Sequence, residues 1–367
     1  MTKSLGSRLF YLSVPLALLN IVALLWFFPS MYECPRWLLQ RFRYGNEDIR
    51  GLRLLRQVRR TKSSVDSVET IPQFWPEFPL TPEQCENATF VTSKNRGRLG
   101  NTIAEYITVF SYGRKHGKIP VLSGTLLEDL LPLFPHLTLR RENETGCHPR
   151  NWTEAAVSDP YGLIQTPWND TEFVKEKDVF LTRYPFDGKL YHEFRRDWMP
   201  EFKFDAELMH EVRSFFSSLS AKYGRNSIFI GIHVRRTDQI DHNRHWFCAE
   251  PVSAAYYRRA MEHFGLLFPN VVFVLTSDEM DWCKENIRSV DESMPVVFVE
   301  GRGRDFDFAL LSNCDHSIVS VGTFSYFSAY FAGGLVVAPK IVSEKPQHID
   351  FQVSQTGLEN WIFVNND

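Results

Sequence analysis

The spacing of apolar and polar positions predicts alternating strands and helices from about residue 88 onward, organised around residues 227–239. Seven of the first eight residues of that stretch are apolar, small or β-branched. Such a run is typical of a strand buried on both faces of a parallel sheet. Arg235 and Arg236 follow it directly. Because open α/β sheets bind ligands at the carboxyl ends of their strands, this pair predicts an anionic ligand.

Side chains alternate along an extended strand, so His233 and Arg235 are expected to point to one side and Arg236 to the other. One guanidinium would then face the crevice beside the histidine. The alternative is that both arginines form ion pairs with surface acids and that His233 is a hydrogen-bonded core residue.

The elements on either side of this strand alternate as in a doubly wound parallel sheet. Upstream, a strand, a helix and a second strand are expected between residues 89 and 122, and a helix over 205–222. The sequence gives no strand order for 123–204. Downstream, we expect four strands, over 271–276, 296–299, 317–321 and 335–338, and four helices, over 253–264, 280–287, 306–313 and 322–333. The pattern indicates an α/β fold with two facing Rossmann-like halves.

The amino-terminal region has a different pattern. An uncharged stretch of 20 residues is long enough to cross a bilayer as a helix, and a cleaved signal peptide is the alternative. We expect a cytoplasmic tail over 1–8, a transmembrane signal anchor over 9–28 and a stem over 29–85. An amino-terminal half over 86–225 and a carboxyl-terminal half over 226–340 follow, and the tail, 341–367, packs on them.

Composition narrows the choice of partner and compartment. The net charge of −3 gives no argument for a nucleic-acid partner. Four N-x-S/T sequons and an even number of cysteines favour a lumenal location for the body of the chain. They are a stronger argument than the charges on the two sides of the anchor, which give only a weak or opposite indication. No cysteine has a zinc-site spacing, so disulfides or buried thiols are expected. The sequons are at Asn87, Asn143, Asn151 and Asn169; the cysteines are Cys34, Cys85, Cys147, Cys248, Cys283 and Cys314.

The run from His233 to Asp238 fits the H-x-R-R-x-D signature of fucosyltransferases that use GDP-fucose. Over residues 88–340 the chain resembles the animal galactoside α-1,2-fucosyltransferases, with further matching segments in the same order: Gly97–Asn101, Thr276–Asp278, Trp282–Asn286 and 308–334. This family usually has Gly-Asp-Tyr or Gly-Asp-Phe after the arginines, where this chain has Thr237-Asp238-Gln239. The resemblance implies a GT-B arrangement and transfer of L-fucose, with inversion, from GDP-β-L-fucose to the 2-hydroxyl of a terminal β-galactoside on glycoproteins or glycolipids.

The resemblance also implies roles for the residues that bind GDP-fucose. Arg235 would neutralise the departing diphosphate while Arg236 orders its loop. The strand-to-helix turn with Thr323, Phe324 and Ser325 offers N–H groups and hydroxyls to an anion, as a simple helix cap also would. The candidates for binding guanine and ribose are His233, Asp278 and Asp307. A carboxylate can accept hydrogen bonds from the guanine edge, although each of the two aspartates could instead be a helix cap.

In the other half, a glycine loop would face the reaction centre. Two glycines permit close approach of the backbone, and two polar side chains offer donors to sugar hydroxyls or phosphate: Gly97, Arg98, Gly100 and Asn101. Asn101 would contact the acceptor hydroxyl. Asp238 and Glu105 are the nearest acids that could serve as the base, and either could merely hold an arginine. Since no D-x-D follows a strand here, a mechanism without metal or cofactor is expected.

Aromatic side chains that could stack on sugars are Tyr184, Phe186, Tyr191, Trp198 and Trp246, but most aromatics are core residues and none is assigned. Alternative functions are fucosylation of another acceptor or in another linkage, and a non-catalytic glycan- or nucleotide-binding protein, which Thr237 and Gln239 keep open. The resemblance implies a single-pass type II protein of the Golgi membrane with a lumenal catalytic domain. A homodimer is left open.

Overall fold

The computed structural model describes seven segments that belong to one compact unit: 71–94, 97–147, 151–156, 177–182, 185–289, 291–343 and 348–367. The expected anchor and the sequon at Asn169 lie outside them. Within these segments, no helix has the length and apolar character that a membrane crossing requires. The other three sequon asparagines are exposed at the surface.

The first half contains a five-stranded parallel sheet with the strand order β3-β2-β1-β5-β4. Its strands are β1 Phe90–Ser93, β2 Ile119–Leu122, β3 Arg140–Arg141, β4 Thr153–Ala156 and β5 Val179–Thr182. Its helices are α1 Pro82–Asn87, α2 Leu99–His116, α3 Leu126–Leu130, α4 Gly188–Glu193, α5 Arg195–Trp198 and α6 Ala206–Tyr223. The predicted unit between residues 89 and 122 is confirmed as β1-α2-β2. The helix expected over 205–222 is α6, capped by Asp205 and Gly224.

The second half contains a six-stranded parallel sheet with the order β11-β10-β9-β6-β7-β8. Its strands are β6 Ile228–Val234, β7 Val271–Ser277, β8 Val296–Phe298, β9 His316–Ile318, β10 Val336–Lys340 and β11 Trp361–Asn365. Its helices are α7 Thr237–His242, α8 Ala254–Leu267, α9 Met280–Asn286, α10 Arg304–Ser312, α11 Thr323–Ala332 and α12 His348–Thr356. Counted from β6, the order is 3-2-1-4-5-6, the doubly wound order of a dinucleotide-binding sheet.

The boundary placed at residue 340 needs correction. The segment 341–367, expected as a tail, contributes β11, which pairs in parallel with β10 along its whole length. The same segment forms α12, where the Gln352 side chain accepts a hydrogen bond from Tyr191 of the first half (2.7 Å). The carboxyl terminus therefore completes the second sheet and also packs on the first half.

One hydrophobic core joins the two halves. The ring centroid of Phe134, in the first half, is 6.4 Å from that of Phe308 and 6.2 Å from that of Phe331. Trp198 stacks on Tyr330 with ring centroids 6.3 Å apart. Since these rings are buried together, the halves are held in a fixed relation by apolar contact.

A disulfide between Cys85 and Cys147 ties α1 to the loop after β3. Cys248 is also disulfide-bonded, whereas Cys283 and Cys314 are buried thiols. Both outcomes expected for the cysteines occur.

The amino-terminal ends of α2 and α11 approach each other closely at Gly100. A Cβ atom at this position would lie 2.5 Å from the Thr323 carbonyl carbon and 2.6 Å from the Phe324 nitrogen. Both are backbone atoms of α11, which cannot move aside as a flexible side chain can. Glycine at position 100 is therefore what lets the two helices meet.

We expect Gly100→Ala to separate these helix ends and destabilise the protein by roughly 1–3 kcal/mol, as overpacking of a core does. Thermal unfolding measures the effect. Gly265→Ala in α8 is a matched control, because its Cβ would meet only the flexible Met294 side chain. Equal stability of the two variants would contradict the close approach at Gly100.

Candidate active site

The candidate site lies where the strand order of the second sheet reverses, between β6 and β9. Neighbouring strands at such a switch point leave a crevice outside their carboxyl ends. Arg235 follows β6, and its backbone N–H donates to the Ser320 hydroxyl after β9 (3.2 Å). This bond fixes the distance between the two strand ends that border the crevice.

His233 is buried in the wall of the crevice. Its Nδ1 lies 2.5 Å from the Ser325 hydroxyl, which lies 3.0 Å from that of Ser320. The imidazole also packs against the Phe324 ring, with centroids 4.7 Å apart. Burial, and secondarily the charge of Arg235, lowers the pKa of His233 to about 3. The ring is therefore neutral at physiological pH, which fits the interpretation of a hydrogen-bonded core histidine.

The Arg235 guanidinium lies between two carboxylates, and its charge acts on the His233 ring. Its Nη2 donates to Asp238 Oδ1 (2.6 Å), and its Nε lies 3.9 Å from Asp278 Oδ2. Nε makes no hydrogen bond within the part of the chain that the structure describes. The guanidinium is thus largely shielded from solvent, and its Nε is buried near the Asp278 carboxylate.

Arg236 contacts a different set of side chains from Arg235. Its guanidinium lies over the Trp282 ring at 3.8 Å and donates to Glu279 Oε2 at 2.9 Å. A longer bond reaches the Val252 carbonyl oxygen (3.4 Å). With these partners, the geometry favours the loop-ordering role expected for Arg236 over direct contact with a ligand.

Asp278 organises the start of α7. Its Oδ1 accepts from the backbone N–H of Arg236 (2.9 Å) and its Oδ2 from the Thr237 hydroxyl (2.6 Å). Of the two roles considered for this acid, cap or ribose ligand, the contacts favour the cap. They also give Thr237, which departs from the family pattern, a structural purpose.

Asp307 is different, because the residue is half-buried and one of its carboxylate oxygens is fully buried. It lies in the first turn of α10, and Oδ1 has no hydrogen-bond partner among the described residues. Burial raises the pKa of Asp307 to about 7. The adjacent Phe308 ring packs on Phe324, 5.2 Å away, which places this turn beside the crevice. Asp307 Oδ1 is thus a buried acceptor with no partner among the described residues.

The amino terminus of α11 forms the opposite wall. Gly322 precedes it with φ 97°, a conformation that favours glycine, and no side chain caps the helix. The first-turn N–H groups therefore have no side-chain acceptor, and the positive end of the helix dipole lies behind them. This turn contacts His233 through Ser325, and Ser320 just before it binds the backbone of Arg235.

The glycine loop of the first half reaches this wall. The Thr323 hydroxyl donates to Asn101 Oδ1 (2.7 Å), and Arg98 pairs with Asp238 Oδ2 at 3.1 Å. Gly97 has φ 98°, and a Cβ there would collide with the Asn101 side chain. Both polar side chains of the loop therefore contact the second half directly.

Asp238 and Glu105, the two acids considered as the base, are unsuited to that role in this geometry. Burial would raise the pKa of Asp238, but the hydrogen bond and charge of Arg235, assisted by Arg98, lower it below its usual value. A carboxylate so stabilised accepts a proton poorly. Glu105 is completely buried in α2. Asp238 instead bridges two arginines across the halves.

The sequence profile of glycosyl transferase family 11 matches residues 66–365. The chain belongs to this family. It is 30% identical over 281 residues to galactoside α-(1,2)-fucosyltransferase 2 of Oryctolagus cuniculus, covering 73% of this chain and 75% of the relative. It is also 30% identical over 264 residues to galactoside 2-α-L-fucosyltransferase SEC1 of Bos taurus, covering 70% and 68%.

Two solved structures are similar at low identity. A mutant of Arabidopsis thaliana FUT1 in complex with GDP shares 14% identity at a TM-score of 0.44, over 68% of this chain and 70% of that one. Fucosyltransferase NodZ from Bradyrhizobium shares 13% identity at a TM-score of 0.41, and the match covers 66% of this chain and 92% of that one.

Other residues of this family 11 site carry no recognisable signal in the sequence. Ser320 joins β6 to β9 through its hydroxyl, and Glu279 fixes Arg236, yet a single serine or glutamate gives no pattern to detect. No group of three or more His, Cys, Asp or Glu in the described segments could hold a metal ion. Independence from metal remains a prediction.

We expect Asp307→Asn to change how stability depends on pH. A carboxyl whose pKa is raised on folding stabilises the protein at low pH, and this contribution is lost as pH rises through about 7. Urea unfolding at pH 5 and pH 8 should show that the wild type loses more stability than the variant over this range. Parallel losses would mean that Asp307 is solvated in the folded protein.

Proposed function

We propose that this family 11 chain transfers L-fucose from GDP-β-L-fucose to the 2-hydroxyl of a terminal β-galactoside. The observation that carries the proposal is the convergence of Arg235, the uncapped start of α11 and the glycine loop at one switch-point crevice. Such a cluster suits a dianionic leaving group. The acceptor and linkage rest on the relatives, which are named galactoside α-(1,2)-fucosyltransferases.

The diphosphate would lie between Arg235 and the first turn of α11. As the bond from fucose to GDP breaks, negative charge develops on the β-phosphate. The Arg235 guanidinium and the first-turn N–H groups of α11 would be the donors to this charge, and because Asp238 already fixes the guanidinium, little rearrangement would be needed during the reaction. His233 and Ser325 hold the wall on which these donors are mounted.

Guanine would be recognised by Asp307. An ionised carboxylate can accept from both N1–H and the N2 amino group of guanine, and Oδ1 has no competing partner among the described residues. Binding two donors would also relieve the cost of burying this group.

The acceptor would enter from the first half, beside Arg98 and Asn101. Its hydroxyl attacks the anomeric carbon from the side opposite the departing GDP, so the β linkage of the donor becomes an α linkage. Asn101 is held by Thr323, which lies in the turn proposed to bind the phosphates. Donor and acceptor positions are therefore coupled through one hydrogen bond.

We predict that Arg235→Ala and Arg235→Lys lower kcat by roughly 10²- to 10³-fold, because they remove a donor needed mainly in the transition state. Lysine keeps the charge but lacks the planar fork. Arg236→Ala is the matched comparison: the loss of its bonds to Glu279 and Trp282 should lower the melting temperature first. Steady-state kinetics on folded protein measure these effects. Near-normal kcat in both Arg235 variants would remove this residue from the mechanism.

Transfer should persist in EDTA, since the proposed donors are side chains and backbone N–H groups. The measurement is product formation from GDP-fucose and lactose after extensive chelation, with and without added Mn²⁺. An obligatory requirement for Mn²⁺ would overturn the arginine-based mechanism.

A further inference from the structure

Trp246 stands apart from the other aromatic residues that could stack on sugars. Its side chain is 60% exposed, whereas Phe186, Tyr191 and Trp198 are buried in the core. Tyr184 lies outside the described segments. Trp246 belongs to a π-helical turn, Asn243–Phe247, that continues α7. Such turns are frequent at functional sites.

The backbone that presents Trp246 is firmly anchored. Asn243 is buried, and its side chain accepts from Gln239 Nε2 at 2.8 Å. Phe247 packs in the core of the second half. The next residue, Cys248, is disulfide-bonded. An exposed tryptophan on a fixed backbone loses little conformational entropy when it binds a ligand.

Trp246 shares a helical face with Asp238. Asp238, His242 and Trp246 are spaced four residues apart, and the rings of the last two are 6.3 Å apart. Asp238 contacts Arg98 of the first half, so this face looks across the cleft. At about 1.5 Å per residue, Trp246 is roughly 12 Å along the helix from Asp238, farther than one sugar ring extends.

We propose that Trp246 stacks on a sugar ring of the acceptor glycan that follows the reacting galactose, and thereby selects longer acceptors. The inference rests on the proposed function and deepens it. The flat apolar face of an indole suits the C–H face of a pyranose, while His242 beside it offers a hydrogen-bonding edge.

The first half has a second place where a glycan could bind. A cavity of about 520 Å³ is lined by Arg141, Asn143, Trp152 and neighbouring residues. None of the lining residues takes part in the contacts between the glycine loop and the second half. The cavity borders the sequon at Asn143 instead, so the stripe from Asp238 to Trp246 is the better continuation of the reaction centre.

The test compares two acceptors, phenyl β-galactoside and a tetrasaccharide that ends in β-galactose. The readout is the ratio of kcat/KM for the long acceptor to that for the short one, which does not depend on the fraction of active enzyme. We expect Trp246→Ala to lower this ratio roughly three- to tenfold, through KM for the tetrasaccharide, and Trp246→Phe to lower it less.

Leu266→Ala is the control, because Leu266 is an exposed apolar residue on α8, and its ratio should equal that of the wild type. An unchanged ratio in Trp246→Ala overturns the inference and leaves the proposed function intact. A fall in the ratio for Trp152→Ala, with none for Trp246→Ala, would assign the glycan to the cavity. If the wild-type enzyme fucosylates neither galactoside, the proposed function fails and this inference with it.

Discussion

The site depends on the close contact between the amino-terminal ends of α2 and α11. Gly100 lets the helix backbones meet, and the hydrogen bond between Thr323 and Asn101 fixes their register. Two helix starts in one place bring two positive dipole ends together, which would repel each other in isolation. The shared aromatic core around Phe134 and Trp198 supplies the apolar contact that holds this arrangement. The proposed anion site would thus be formed by packing between the halves.

Each arginine at the site has an acidic side chain close to it. Asp238 lies between Arg98 and Arg235, and Glu279 accepts from Arg236. Both carboxylate oxygens of Asp278 accept hydrogen bonds from the segment that begins α7. Each guanidinium therefore has an acid nearby, which limits the cost of placing so many cations together. Arg235 is paired with Asp238 as well, but its Nε makes no hydrogen bond in the described part of the chain.

The sequence predicts those strands that lie next to a helix with a long and regular apolar spacing, or that are themselves long and buried. The buried run of β6 and the spacing of α6 extend over enough residues to be read, and so the second sheet was largely predictable. By contrast, β3, β4 and β5 are short strands that, unlike β1 and β2, do not flank a helix that the sequence predicts. β11 was missed because 361–365 follows a region without a clear pattern. Within the site, the alternation of side chains along a strand predicted different roles for Arg235 and Arg236. The cap role of Asp278 could not be predicted, because it depends on which strand lies next to β6 in the sheet.

The absence of a well-placed base among the acids considered has a physical counterpart. Asp238 is too strongly stabilised as the carboxylate, and Asp307, with a pKa of about 7, lies with the elements that would hold guanine. A base contributes most when the nucleophile must be deprotonated before the leaving group departs. If departure of GDP leads, the electrophilic sugar draws the acceptor hydroxyl in, and proton transfer can follow late. The concentration of fixed donors around the diphosphate fits this order, because it assigns most of the stabilisation to the leaving group.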